Sequence, residues 1–548
     1  MKIRLGNKLS IGLVLVLFAL TTVSAVPAAS DPPNRFNPPQ FGNSSAPVSG
    51  IVWFYLQYLQ NQRFTVPPGG LLSANFSSAS TLDTAGPVKI RSNNLDAQPI
   101  AQNEESVAIS PKNAKIVVTG YNDFRGIFTG DFSGFSISKN GGSAVRTDGQ
   151  LPALTLPLLE TTAGSEGDPS IDVNNGGTFY YASLYFNFRA CGLNCGESAV
   201  VVWRSVPSSS LSTCLGTACW LSSKIVADDT LNFNTPSGFF NDKEWVAVDR
   251  SGLSTADSVY VTWTRFDLAA SQSKINMVRC MSDLSNCSSP IVISGVDLST
   301  QGSFVAVRTD GSIAVSWVDM DAFPFTIHAI QCTPGADVTF SCGSVSTVAT
   351  INNFFFLQSY ESFRTPTLPQ MAVDFSAAHP NRVIVVWNEC APGQNVLGFA
   401  CDQPVVNGAF TDDSTMEGPW TTFTVNDPTG VSAPASGFFP SVAIDPTDGT
   451  VNVGYYSQER DTPWRHRLDV FIAQYSLGEF PGTPTTTRIT AKVSEPDDDP
   501  LLGGLFFGDY IQVAARGNVA VIAFTANYLL KGTPPTFNQD NFVAKLPD

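Results

Sequence analysis

The stretch SVAIDPTDGTVNVGYY, residues 441–456, decides the fold. Two short runs rich in Val, Ile and Tyr flank Asp-Pro-Thr-Asp-Gly. Pro presets the first turn dihedral, Asp bonds its own backbone and Gly accepts the left-handed region, so the stretch reads as a β-hairpin. Seven versions of it occur along the chain: ESVAISPKNAKIVVTGY (105–121), PSIDVNNGGTFYYASLY (169–185), EWVAVDRSGLSTADSVYVTW (244–263), SFVAVRTDGSIAVSW (303–317), PQMAVDFSAAHPNRVIVVW (369–387), the quoted copy, and DYIQVAARGNVAVIAF (509–524). Their anchor residues, Val107, Ile171, Val246, Val305, Met371, Val442 and Val513, are 59 to 75 residues apart. Such a period marks a repeat fold.

Each hairpin is followed by a second strand pair. Examples are KINMVRC (274–280) with PIVIS (290–294), TIHAIQC (326–332) with VSTVA (345–349), and DVFIAQY (469–475) with TRITAKV (487–493). Four strands per repeat and no long helical pattern predict an all-β chain, a β-propeller of four-stranded antiparallel blades. Seven hairpins predict seven blades; six blades and a stray hairpin is the other count. Before the first hairpin, GPVKIRS (86–92) has the character of a fourth strand. After the last, only NFVAKL (541–546) follows. An N-terminal strand completing the final blade would close the ring and remove its open edge. Trp263, Trp317 and Trp387, which end second strands, are expected between blades, with a row of sugar-stacking aromatics as the alternative.

Residues 1–25 have the form of a secretory signal: Lys2, Arg4 and Lys8, an apolar run Leu9 to Val23, and Val23-Ser24-Ala25 for cleavage. The apolar run is short for a membrane span. With no apolar tail and no Cys after the run, a released, extracellular protein is expected. Residues 26–85 read as a Pro/Ser/Gly-rich extension carrying the apolar segment IVWFYLQYL (51–59), and residues 86–548 as the propeller. The net charge of −16 becomes about −19 without the leader's three cations. That balance excludes phosphate-backbone binding, which needs basic patches, so no nucleic-acid partner is expected.

The ten cysteines fall into local pairs: Cys191/Cys195, Cys214/Cys219, Cys280/Cys287, Cys332/Cys342 and Cys390/Cys401. After an export signal they read as five short-range disulfides. Zinc is the rival for such spacings, but the chain has only three histidines, His328, His379 and His466. Asn43, Asn75 and Asn286 stand in Asn-x-Ser sequons.

Antiparallel strands reverse at each turn, so loops entering first strands share a face with loops leaving second strands. Glu104, Asp168, Asp242 with Glu244, Arg364, and Asp509 with Tyr510 enter first strands. Asp123 and Arg125, Asn187 and Arg189, Arg265 and Asp267, Asp319 and Asp321, Glu389, and Glu459 with Arg460 and Asp461 leave second strands. Carboxylates and arginines on one axial face suit an anionic or hydroxyl-rich ligand, and paired carboxylates can cleave a glycosidic bond. The opposite face receives the turns and most of the disulfides. No Gly-x-Ser-x-Gly elbow, His-Glu-x-x-His, P-loop or dinucleotide fingerprint occurs. No cofactor is expected. The Asp-rich turns DPTDG (445–449) and EPDDDP (495–500) offer oxygen ligands for Ca²⁺ without EF-hand spacing.

Over residues 86–546 the pattern resembles the sialidase-like β-propellers, secreted proteins with repeated Asp-boxes. The resemblance rests on the SVAIDPTDG-type hairpins, GDPSIDV (167–173), NDKEWVAVD (241–249), FFGDYIQVA (506–514) and a degenerate box at Ser138-Lys139-Asn140-Gly141-Gly142-Ser143. Later repeats put Cys pairs where the box would stand, as in CMSDLSNC (280–287). Sialidases use three arginines on the substrate carboxylate, a Tyr/Glu nucleophile pair and an Asp acid/base. Carried over by face and order, the resemblance assigns Arg125, Arg364 and Arg460 to the clamp, Tyr510 and Glu244 to the nucleophile pair, and Asp123 to the acid/base. Arg189, Arg265, Glu389 and Glu459 are further ligand-binding candidates. The chain lacks the family's Arg-Ile-Pro motif, and seven blades exceed the usual six. The expectation is therefore binding of an extracellular glycan or protein without turnover. Hydrolysis of a terminal acidic sugar is the alternative.

Overall fold

The structure is a computed structural model. It describes residues 81–82, 89–92, 100–192, 194–352, 356–357, 364–392, 400–401, 403–425, 436–459, 467–476, 478–502, 506–528, 530–531 and 536–548. The expected signal, the segment 51–59, Asn43, Asn75, His466, Arg460 and Asp461 lie outside these residues.

The chain is nearly all-β and repeats one unit, a four-stranded antiparallel sheet. The first sheet contains Gln102–Ile109, Val117–Asp123, Ser133–Ser138 and Val145–Gln150. The second contains Ser170–Val173, Phe179–Asn187, Cys195–Ser205 and Trp220–Asn232. The third contains Ser237–Val248, Val259–Asp267, Gln272–Cys280 and Ile291–Val292. In the fourth, Thr300–Val307, Ile313–Asp319, Phe325–Pro334 and Ser346–Ile351 pair in order. The fifth has Gln370–Val373, Val383–Cys390, Pro404–Thr411 and Thr421–Thr424, and the sixth Gly437–Ile444, Val451–Ser457, Asp469–Tyr475 and Thr485–Arg488. The seventh takes Gln512–Ala515, Val519–Ala526 and Asp540–Pro547 from the C-terminal part and Lys89–Ser92 from the N-terminal part. One departure from independent repeats is that the second and third sheets are continuous, because Leu231 and Asn232 pair with Gly238 and Ser237. The hairpin of Leu154–Leu156 and Thr161–Ser165 also joins this sheet, on Tyr185 and Phe186.

The 441–456 hairpin forms as its sequence dictates. Ser441 faces Gly454 and Ile444 faces Val451. Asp445 Oδ1 accepts the Thr447 N–H at 2.7 Å, the Gly449 N–H bonds the Asp445 carbonyl at 2.8 Å, and Gly449 takes φ +78°. The other Asp445 oxygen accepts the Asn518 N–H at 2.8 Å, tying this turn to that of the seventh sheet.

First strands meet one another through a recurring contact. The residue before the anchor accepts the anchor N–H of a neighbouring sheet: Ser106 from Ile171 at 2.8 Å, Ser170 from Val246 at 2.9 Å, Ser441 from Val513 at 2.9 Å and Gln512 from Val107 at 2.7 Å. Between the third and fourth sheets the same positions are Trp245 and Phe304, whose rings pack at 4.5 Å. First strand against first strand, with each sheet's faces buried on its neighbours, is the arrangement of a β-propeller. Trp263, Trp317 and Trp387 are buried as expected and each indole N–H is satisfied, on Asn241, Asp297 and Glu389 at 2.8, 2.9 and 2.9 Å.

All five expected disulfides are present. Cys214–Cys219, Cys280–Cys287 and Cys332–Cys342 staple connections between third and fourth strands. Cys191–Cys195 and Cys390–Cys401 instead close loops after second strands, on the same side as the candidate residues. In the turn at 138–143, Ser138 Oγ accepts the Gly142 N–H at 2.9 Å and Asn140 Oδ1 accepts the Ala144 N–H at 2.7 Å, a side-chain staple without a Cys pair. Asn286 is exposed within the Cys280–Cys287 turn.

Two outcomes are expected. Alkylation without reductant leaves the intact mass unchanged, whereas each added label counts a free thiol. Trp387→Ala, which empties a buried indole site, lowers unfolding free energy by about 3–5 kcal/mol in urea titration.

Candidate functional site

The site is built by a bulge that repeats. Third before the anchor stand Glu104, Asp168, Lys243, Gly302 and Phe439, all with left-handed φ between 48° and 69°. The strand register slips there, between Asn103 and Ser106, Asp242 and Trp245, Gln301 and Phe304, and Phe438 and Ser441. A bulge re-aims a side chain that the pleat would otherwise direct onto a sheet face. Here it brings charged residues from several sheets together at the ends of the first strands.

Glu104 is fully buried. Its Oε2 accepts Asn122 Nδ2 at 2.8 Å, and Oε1 has no hydrogen-bond donor among the described residues. Burial first, then the Asp168 and Asp509 charges, push its carboxyl well above the usual range. A proton on Glu104 toward Asp168 lets the two carboxyls coexist. Asp168 Oδ2 accepts the Lys243 N–H at 3.2 Å, and its own N–H bonds Asn122 Oδ1 at 2.9 Å. Glu244 is fully buried too, and neither carboxyl oxygen has a hydrogen-bond partner among the described residues. Burial, followed by the Asp168 charge, holds it well above its ordinary value.

Lys243 is 4% exposed, and its ammonium lies 3.4 Å from the centre of the Tyr510 ring and 4.9 Å from that of Trp245. A desolvated cation against two aromatic faces is a favourable pairing. The Tyr510 hydroxyl donates to the Pro169 carbonyl at 3.0 Å. Burial and the Glu104, Asp168 and Glu244 charges raise it well above the usual phenol range. Asp509, whose charge acts on Glu104, is clamped by Arg364 with two bonds of 2.8 Å; the Arg364 side chain is 23% exposed and that of Asp509 is 1%.

Of the residues singled out in the sequence, Glu244, Tyr510 and Arg364 therefore belong to one cluster. Asp123 and Arg125 form a separate pair, with Arg125 Nε 2.9 and 2.8 Å from the two carboxylate oxygens and its Nη1 3.7 Å from Asp148. Arg265 pairs with Asp229 and lies 3.5 Å over Phe239. Glu389 is taken up by scaffold donors, Trp387 and Asn407 on Oε1 and the Asn352 N–H on Oε2. Arg189 is exposed, and Glu459 is half-buried with its N–H on Ser457 Oγ at 3.1 Å. Lys243 was not among the sequence candidates, and Glu104, Asp168 and Asp509 were noted only as residues entering first strands. Alignment of the repeats on their anchors places Glu104, Asp168, Lys243 and Tyr510 in one column, which is the signal that finds them.

The Asp-rich turns differ. Asp445 and Asp448 of DPTDG meet Asp548, with carboxylate oxygens within 4.8 Å of one another. In EPDDDP, Asp499 is buried and accepts the N–H groups of Leu501, Leu502 and Gln539, a backbone role.

No family model matches the sequence, and no characterised protein matches it. Among solved structures, the chain is similar to an α-L-arabinofuranosidase of Fusarium graminearum bound to an iminosugar inhibitor, at 10% identity, 68% of this chain, 91% of that one and a TM-score of 0.40. A Dyadobacter fermentans protein of unknown function gives 10%, 84%, 99% and 0.42. The endosialidase of phage phi92 gives 8%, 84%, 69% and 0.44. No helix among the described residues is long and apolar enough to cross a membrane.

The buried acids make a pH prediction. Glu104 and Glu244 bind protons in the folded state at pH values where the unfolded chain, titrating near 4.5, has lost them. Their contribution is full below that value and declines as pH rises through the raised folded values. Thermal melts from pH 5 to 8 should show that decline. Glu244→Gln should flatten it by up to about 1.4 kcal/mol per pH unit. An unchanged slope in the variant would remove Glu244 from this account.

Proposed function

We propose that the protein is an exported β-propeller of seven blades, spanning residues 86–548, whose axial face binds the hydroxyl-rich end of a neutral extracellular glycan without cleaving it. Export is supported by the leader-like residues 1–25 and the five disulfides. Seven blades and a closed ring are supported by Gln512 accepting the Val107 N–H and by Lys89–Ser92 completing the sheet of Asp540–Pro547.

The observation that carries the binding reading is the axial cluster itself. With Glu104 and Glu244 holding their protons, the carboxylates of Asp168 and Asp509 match Lys243 and Arg364; Arg364 is already bound by Asp509, and Lys243 lies against the Tyr510 and Trp245 rings. Such a balance disfavours a sugar carboxylate and favours hydroxyls, which donate to carboxylates and accept from guanidinium. The Tyr510 hydroxyl is engaged by Pro169 rather than Glu244, which speaks for binding over a Tyr/Glu nucleophile. The second reading, glycoside hydrolysis, is favoured by one feature: a neutral Glu104 beside Asp168 is an acid and base in one place.

A glycan array probed with the full secreted chain should retain neutral glycans, and Arg364→Ala should weaken that retention at least tenfold. Retention of sialylated glycans alone, or none, would overturn the reading. Turnover across a fluorogenic glycoside panel that Glu104→Gln abolishes would replace binding with hydrolysis.

A further inference from the structure

A cluster apart from the Glu104 and Lys243 group stands on the second and third strands of the fourth sheet and the loop before it. Trp317 and His328 are directly paired across neighbouring strands. Trp317 Nε1 donates to Asp297 Oδ2 at 2.9 Å, and His328 Nδ1 lies 2.8 Å from the same oxygen. The fifth sheet contains the same staple in another chemistry. Trp387 and Asn407 are the cross-strand pair, and both donate to Glu389 Oε1, at 2.9 and 2.8 Å. A carboxamide therefore suffices to hold this corner of a blade.

The fourth sheet differs in having an imidazole in place of the carboxamide, its Nδ1 on Asp297 and its other nitrogen 3.2 Å from Thr326 Oγ1. It also has a carboxylate the staple does not use, that of Asp319, which accepts the Asp321 N–H at 3.1 Å and Thr326 Oγ1 at 3.4 Å. One ligand atom from each of Asp297, Asp319 and His328 falls within a span of 4.8 Å. Asp319 and His328 are half-buried, reachable from solvent yet fixed on paired strands. Asp321 adds a third carboxylate nearby, bound to the Leu298 N–H, while the ammonium of Lys274 is engaged by the Gly295 carbonyl.

We propose that Asp297, Asp319 and His328 form a binding site for a divalent transition-metal ion of zinc type, the ion replacing the proton between His328 Nδ1 and Asp297 Oδ2, which is released to solvent. One imidazole and two carboxylates are a donor set that zinc accepts, whereas calcium takes oxygen ligands. Three protein ligands leave a position for water or a ligand oxygen. The Trp317 N–H on Asp297 supplies the orienting hydrogen bond that metal-binding side chains need from their surroundings. The three residues come from three separate segments, the loop before the fourth sheet and its second and third strands, so a bound ion would cross-link them.

The staple comparison supplies the test. Zinc chloride is titrated calorimetrically into the chelator-treated full chain, with thermal melts in parallel. The wild type should bind one ion at this site and melt higher with zinc. His328→Asn, which copies the fifth sheet's own staple, should keep the metal-free melting temperature and lose zinc affinity at least tenfold. Asp319→Asn should lose it as well, and it leaves the Trp317–Asp297–His328 staple intact should the first variant fold poorly. Absence of zinc uptake by the wild type overturns the proposal. Equal uptake by wild type and both variants also overturns it, because zinc would then sit elsewhere, such as at Asp445, Asp448 and Asp548. Tighter binding of calcium than of zinc overturns the zinc assignment.

Discussion

The first strands are edge strands of their sheets, except where the third sheet's joins the second, so their outward N–H groups have no partner in the same sheet. A buried N–H left unpaired costs about 1–3 kcal/mol. Ser106, Ser170, Ser441 and Gln512 remove that cost by presenting an oxygen to Ile171, Val246, Val513 and Val107. In these four contacts the acceptor belongs to another sheet. Hydrophobic burial between sheets favours packing in any register, but this bond accepts one register only. The side chain before the anchor thus sets how these sheets dock, and between the third and fourth sheets the rings of Trp245 and Phe304 take its place.

That docking explains why charged residues are buried together at the first-strand bulges. The left-handed bulge three residues before the anchor displaces a side chain from the sandwich between blades. Where the bulge residue is Gly302 or Phe439 nothing ionic results. Where it is Glu104, Asp168 or Lys243, a charge is carried inward, and neighbouring acids then control each other's proton. Desolvation is the leading cause of the raised values of both Glu104 and Glu244, ahead of any individual charge. The cluster is therefore first a consequence of packing. Its acidity is adjusted by how completely the blades close over it.

The hairpins, their period and the cysteine pairs were legible in the sequence because each is local: alternation, turn chemistry and short loops need no tertiary knowledge. The first-strand staples were visible as Ser or Gln before the anchor, yet their meaning requires knowing that a second sheet lies alongside. The buried charged cluster was half legible. Chain direction places Glu244, Tyr510 and Arg364 on one face, but it cannot separate a residue that joins the cluster from one that pairs elsewhere. Asp123 and Arg125 satisfy the same rule and end up paired with each other. Glu389 satisfies it too and serves Trp387 and Asn407. The continuous second and third sheets depend on Trp220–Asn232 and Ser237–Val248 being unusually long strands that meet at their ends, a length that local pattern does not limit.

The arginines show how the acidic balance limits what the face can hold. The chain has 47 acidic and 31 basic residues, and arginine after arginine in the described residues sits on an aspartate. Exposed pairs such as Arg382 with Asp412 contribute little. Arg364 and Arg125 are different, because Asp509 and Asp123 beneath them are almost wholly buried. Turning either guanidinium toward a ligand carboxylate would leave a buried aspartate uncompensated, a loss of about 3–5 kcal/mol for each broken pair. Two such losses would consume most of the free energy of a micromolar complex, about 8 kcal/mol. A hydroxyl makes no such demand: it can bond the outer edge of an arginine whose inner edge stays on its aspartate. Ion pairs of this kind therefore support the proposed neutral ligand over an anionic one.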